Sequence, residues 1–164
     1  MVIHVMEQEQ RLPISLEAGW KFFSSPRNLD EITPVEMGFK ITSLRSEIMH
    51  EGQIISYKVA VLPGIWIPWV TEIKSVDEGR SFVDEQRFGP YKFWHHRHTF
   101  EEIPGGILMR DLVHYGLGFG PLGAIAHDWF VQRKLKDIFG FRRQTLEQRF
   151  GKITGDETVT TPGS

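Results

Sequence analysis

Between Gly38 and Leu117 the chain falls into six short runs, and each boundary between runs carries a turn-forming group. The runs are 38–46, 52–62, 66–76, 80–88, 91–103 and 106–117. Glu51-Gly52, Leu62-Pro63-Gly64, Glu78-Gly79, Gly89-Pro90 and Pro104-Gly105-Gly106 separate them, and such groups mark turns between strands. A parallel crossover needs a dozen or more residues. Consecutive runs are therefore expected to pair antiparallel, as a meander.

The flanks complete the pattern. Val2 to Leu12 alternates loosely and ends at Pro13, which predicts a first strand. Ser15 is a good N-cap for a helix over Leu16 to Ser24, with Leu16, Trp20 and Phe23 on one face. Pro26 opens a second short helix that Thr33-Pro34 closes. After Pro121 the period becomes helical: Leu122, Ile125, Ala126, Trp129, Leu135, Ile138, Phe139, Leu146 and Phe150 form a stripe. This predicts a long helix to Phe150, with Gly140 as a place for a bend. The resulting class is α+β: a curved seven-stranded antiparallel sheet wrapped around a long C-terminal helix, with two short helices after strand 1. A straight helix does not seat flush in a strongly curved sheet, so an internal cavity is expected. Residues 1–150 read as one domain and 151–164, rich in Thr, Gly, Asp and Pro, as a disordered tail.

Composition narrows the function classes. With no cysteine, disulfides and thiolate chemistry are excluded. A net charge of −2 gives no global attraction to nucleic acid, and aromatic and basic residues are not interleaved as single-strand binders require. No basic segment followed by an apolar run opens the chain, and no apolar segment is long enough to insert stably in a membrane. The expected location is cytoplasmic. The turn Leu62-Pro63-Gly64-Ile65-Trp66-Ile67-Pro68-Trp69 is conspicuously apolar and reads as a cavity gate, an interfacial tip or the start of a core strand.

Chemistry concentrates in Trp94-His95-His96-Arg97-His98-Thr99-Phe100. On a strand, alternate side chains share a face, so two imidazoles, His96 and His98, lie between the aromatics Trp94 and Phe100. A two-residue turn at Pro104-Gly105 pairs Ile103 with Gly106. Phe100 then faces Met109, His98 faces Asp111, His96 faces Val113 and Trp94 faces Tyr115. The run 80–88 has a mixed face of Phe82, Asp84, Gln86 and Phe88. Its alignment with the His96 face depends on the length of the Gly89-Pro90 turn. If aligned, Asp84, Gln86, His96, His98, Asp111 and Tyr115 form one polar network, whose members must pair, bind water or bind a ligand.

The spacing Phe82-x-Asp84-x-Gln86-x-x-Gly89-Pro90-Tyr91-x-x-Trp94-x-His96-x-His98-x-Phe100 resembles a bacterial branch of the START and birch-pollen-allergen superfamily. That branch is often described as SRPBCC or polyketide-cyclase-like. The resemblance continues through Asp111-x-Val113-x-Tyr115, Gly120-Pro121-Leu122-Gly123 and Ile138-Phe139-Gly140-Phe141-Arg142, with Thr33-Pro34 and Gly38-Phe39 fitting the early segment. Gly118-Phe119 departs from it, where relatives carry a proline. The resemblance implies a helix-grip fold and a pocket for an apolar or amphipathic small molecule such as a lipid, sterol or polyketide. Similar domains also occur fused to an epimerase-like domain, which implies an epimerase-like protein as a possible partner. This chain has no glycine-rich dinucleotide fingerprint of its own.

Within that frame Trp94, His96, His98, Asp111 and Tyr115, with Asp84 and Gln86, are expected to orient the polar end of a ligand. Phe82, Phe100, Ile125, Trp129 and Phe139 are expected to line its apolar wall. Three alternatives stay open. His98, Asp111 and Tyr115 could act as general acid/base groups of a cyclase- or dehydratase-like enzyme. The histidines could form a self-satisfied network in a ligand-free interaction module. A His-x-His face with Asp84 or Asp111 could also bind metal, but no third histidine converges on it, so no metal and no cofactor are expected. Oligomeric state is not legible.

Overall fold

The computed structural model describes residues 1–29, 31–34, 39–62, 64–118 and 131–153. Its elements are β1 (His4–Leu12), α1 (Leu16–Phe23), a 3-10 turn (Pro26–Leu29), β2 (Phe39–Ser43), β3 (Ile54–Leu62), β4 (Ile65–Asp77), β5 (Ser81–Phe88), β6 (Phe93–Ile103), β7 (Gly106–Gly116) and α2 (Gln132–Phe150). All seven strands form one antiparallel sheet, ordered β1-β7-β6-β5-β4-β3-β2. This is the expected meander with the N-terminal strand added beside the last. The second short helix is corrected: Pro26–Leu29 makes a single 3-10 turn. Four residues with one buried member, Pro26, are too few to sustain an α-helical ladder.

Ser15 caps α1 by accepting from the Ala18 N–H at 3.2 Å, and α1 buries Phe22 and Phe23. On α2 the buried residues are Leu135, Phe139, Arg142 and Leu146, a stripe at helical spacing. The helix runs through Gly140 without interruption. The remainder of the expected helix, 121–130, and the tail from residue 154 lie outside the described residues.

Curvature has a visible source. Register shifts between Ile41 and Ser43, Ala60 and Leu62, Val70 and Thr71, and Ile73 and Ser75 place irregularities on β2, β3 and β4. Such bulges bend a strand and increase its twist. The β6–β7 hairpin, by contrast, keeps unbroken register over its whole length. Pro104 supplies a fixed φ in its turn and Gly105 takes φ 82°.

Apolar clusters occupy both ends of the space between sheet and helix. At one end Leu12, Phe100, Ile107 and Met109 meet Phe22 and Phe23 of α1 and Leu146 of α2. At the other, Trp94, Val113 and Tyr115 meet Leu135 and Phe139. No helix among the described residues is long and apolar enough to cross a membrane.

Candidate functional site

Strand parity builds the site. Along β6, Trp94, His96, His98 and Phe100 are buried, whereas Arg97 is exposed and His95 and Thr99 are half-buried. The β6–β7 pairing sets His98 opposite Asp111, His96 opposite Val113 and Trp94 opposite Tyr115. The β5–β6 pairing sets Asp84 opposite His96 and Phe82 opposite His98. The two imidazoles are thus flanked by a carboxylate on each neighbouring strand.

The four groups close a ring. The His96 and His98 rings lie 3.7 Å apart between centroids, tilted by 37°. On one edge, Asp84 Oδ2 is 3.0 Å from His98 Nε2 and 3.5 Å from His96 Nδ1. On the other, Asp111 Oδ1 is 2.8 Å from His98 Nδ1 and 3.1 Å from His96 Nε2. His98 Nδ1, although so close to Asp111, lies off the direction of a hydrogen bond. Trp94 Nε1 donates to Asp84 Oδ1 at 3.3 Å. Arg142 of α2 brings Nη1 to 3.6 Å from Asp111 Oδ1, and its Nε has no partner among the described residues.

Asp111 is 2% exposed, so its charge must be compensated locally. Burial alone would raise its carboxyl, but Arg142 and the two imidazoles outweigh that and hold it well below the usual carboxylate range. Asp84 is lowered in the same way, its burial being outweighed by the two imidazoles. The histidines diverge. Burial and the neighbouring His98 push His96 down. Burial also disfavours the charge on His98, but its contacts with Asp111 and Asp84 prevail and raise it.

Asp84, His96, His98 and Arg142 face a cavity of about 200 Å³ between the sheet, α2 and the segment following α1. Its walls are otherwise largely apolar and include Ile55, Ile73, Phe82, Trp94, Leu135 and Phe139. Of the expected site residues, Phe82, Asp84, Trp94, His96, His98 and Phe139 therefore meet at the cavity. Asp111 sits outside its lining, touching it through the histidines. Phe100 belongs instead to the closed core, stacked near Phe23 and Phe82.

Gln86 and Tyr115 lie outside the cavity lining. Gln86 does not join the ion cluster, because its amide is used to close the following loop. It donates to Tyr91 O at 2.6 Å and accepts from Tyr91 N at 3.2 Å. Tyr115 packs between His4 and Trp94 and is not among the cavity-lining residues. Ile125 and Trp129 lie outside the described residues.

Sequence reasoning missed Tyr57 and Thr71, which line the cavity from β3 and β4. In the sequence, Ile55, Tyr57 and Val59 alternate along the run 52–62, which marks a shared face and not its approach to the cavity. Of the apolar turn, Trp69 packs on Tyr91 and Trp94, whereas Ile65 and Trp66 are exposed.

No family model and no curated protein matches the chain by sequence. Solved structures do match in fold. The allergen Ara h 8.0201 is similar over 90% of this chain and 99% of its own, with TM-score 0.59 and 19% identity. Major latex-like protein 151 from Panax ginseng is similar over 92% and 99%, with TM-score 0.62 and 13% identity. A nucleoside-diphosphate sugar epimerase from Corynebacterium glutamicum is similar over 87% of this chain but only 28% of its own, with TM-score 0.63 and 18% identity. The chain shares the helix-grip fold of these structures, a curved antiparallel sheet closed by a C-terminal helix. Identities this low speak for the fold alone.

Proposed function

We propose that the protein binds an apolar or amphipathic small molecule between its sheet and C-terminal helix, with the polar end of that molecule at His98, His96, Asp84 and Arg142. The observation that carries this reading is a cavity with apolar walls and a single dense polar spot. Ligand sites are typically of this kind, with few polar groups fixing orientation. At about 200 Å³ the space is below the roughly 300–1,000 Å³ usual for drug-sized ligands. A short acyl chain or a small aromatic polyketide fragment suits it better than a sterol.

Acid–base catalysis on an enolisable ligand is the second reading. The observation favouring it is His98, held between two carboxylates and facing the cavity. In this reading His98 moves the proton and Asp111 orients its ring, while Tyr57 takes the cavity-facing place that Tyr115 does not hold. The likeness to part of an epimerase chain supports a third, an epimerase-like partner, by analogy of fold.

Native mass spectrometry of freshly purified protein, followed by thermal-shift measurement with fatty acids of graded length and small aromatic ketones, tests the first reading. A retained mass or a chain-length optimum is expected. A protein with neither does not use the cavity as proposed. If His98→Gln leaves ligand uptake intact but stops turnover of a bound ketone, the enzymatic reading gains over simple binding.

A further inference from the structure

We propose that Asp84, His96 and His98 form a site for one divalent first-row transition-metal ion, whose open positions face the cavity. This goes beyond small-molecule binding and does not depend on it, since an ion can occupy the site without an organic ligand.

The two edges of the histidine pair differ in a way that plain ion pairing does not require. On the Asp84 edge, one ligand atom from each of Asp84, His96 and His98 lies within 4.8 Å of the other two. Zinc–nitrogen and zinc–oxygen bonds are about 2.0–2.2 Å, so two ligands on one ion stand roughly 3.0–3.5 Å apart. The distances from Asp84 Oδ2 to His98 Nε2 and His96 Nδ1, 3.0 and 3.5 Å, fall in that interval. These three residues line the cavity, so substrate or water reaches the remaining positions from there.

On the Asp111 edge the geometry is that of a supporting shell. A metal-binding imidazole usually directs its other nitrogen to a carboxylate or carbonyl. Here His96 Nε2 is hydrogen-bonded to Asp111 at 3.1 Å, and His98 Nδ1 stands 2.8 Å from the same oxygen, off the hydrogen-bond direction. Arg142 stands beside Asp111 at 3.6 Å and balances its charge, leaving it an orienting group. The ligating carboxylate is anchored as well: Trp94 Nε1 holds Asp84 Oδ1, leaving Oδ2 for the ion. The carboxylate thus supplies the third ligand of the set.

Two imidazoles and a carboxylate suit zinc, iron, cobalt or manganese better than calcium or magnesium, which take mainly oxygen ligands. A divalent ion beside two carboxylates and one guanidinium, with neutral imidazoles, leaves a single positive charge. The open positions therefore favour an anionic oxygen, such as a carboxylate or enolate, on whatever occupies the cavity.

Co²⁺ titration of chelator-treated full-length protein is the test. Visible d–d absorption saturating at one ion per chain, and displaced by Zn²⁺, is expected. His96→Gln, His98→Gln and Asp84→Asn should abolish it, and Asp111→Asn should weaken binding about 10–100-fold, as loss of a supporting carboxylate does. The rings of His95 and His114, on the opposite face of the sheet, lie 6.0 Å apart and form a second histidine pair among the described residues. A His95→Gln/His114→Gln variant should bind as the wild type does. Absence of d–d absorption, or absorption that survives His96→Gln and is lost with the His95/His114 pair, overturns the site. Should the buried variants fail to fold, X-ray absorption of the wild type with Zn²⁺ decides it: two imidazoles at bonding distance support the proposal, and none overturns it. None of these measurements uses an organic ligand, so failure of the hydrophobic-ligand panel is a separate result.

Discussion

Asp111 is held ionised in the interior by Arg142 on one side and two imidazoles on the other. Buried charges of this kind are costly to strand. Asp111→Ala leaves Arg142 and His98 without their shared counter-charge, and removing one partner of a buried pair typically costs about 3–5 kcal/mol. Urea denaturation should show a loss of that size. Arg142→Met fills most of the same volume and leaves both imidazoles beside Asp111, so its loss should be smaller. Equal stability of Asp111→Ala and wild type would mean that water, not the ion cluster, satisfies these groups. The histidine pair was legible in the sequence because strand parity and a two-residue turn leave little freedom in register. Arg142 was legible only as one of two candidate partners, with His98, for a buried carboxylate. It lies on a helix with Arg133, Lys134, Lys136, Arg143 and Arg149, and only its place in the stripe of Leu135, Phe139 and Leu146 distinguishes it from solvated neighbours.

At the scale of elements, two glycines have opposite expectations. A Cβ on Gly106 would stand 2.0 Å from the backbone oxygen of Leu12 and 3.0 Å from Pro13 Cα. No side chain can yield there, so β1 and β7 must separate at the end where Leu12 pairs with Ile107. Gly106→Ala should destabilise by about 1–3 kcal/mol, the usual range for overpacking. Gly140 lies within α2 and a Cβ there meets nothing within 4 Å. Gly140→Ala should therefore stabilise by about 0.5–1 kcal/mol, through helix propensity and a less disordered unfolded chain. Thermal unfolding of the two variants checks the signs. The same contrast between local rules and long-range contact set what could be read from the sequence. The β6–β7 hairpin was legible to the residue because its turn fixes its register. The bulges of β2, β3 and β4 shift register without a turn signal, so the approach of Tyr57 and Thr71 to the cavity was not. Asp84 was intermediate, since its face depended on the loop that Gln86 closes.

The whole molecule divides between a closed apolar end and a cavity, and its tyrosines report on the integrity of the cavity end. All three of them, Tyr57, Tyr91 and Tyr115, are pushed above the ordinary tyrosine range, chiefly by burial. Tyr57 feels the charge of Asp84 as well, and its hydrogen bond with Thr71 offsets only part of the rise. Tyrosines of the unfolded chain ionise near pH 10, while those of the folded chain stay protonated above that. The unfolded state therefore binds fewer protons, and stability falls as pH climbs past about 10, by about 1.4 kcal/mol per pH unit for each tyrosine until its folded pKa is reached. Below pH 10 the same groups contribute no pH dependence, because both states are protonated. Alkaline titration should then show the near-ultraviolet tyrosinate band rising together with loss of far-ultraviolet circular dichroism, in one cooperative step. Tyr57→Phe should make that step less steep and move it to higher pH, unless loss of its hydrogen bond lowers stability at neutral pH by more than the removed titration restores. Measuring urea stability at pH 7 and pH 10.5 separates those two effects. A gradual tyrosinate titration centred near pH 10 in protein that keeps its circular dichroism would show that water already reaches the rings, and that the wall between cavity and solvent is open.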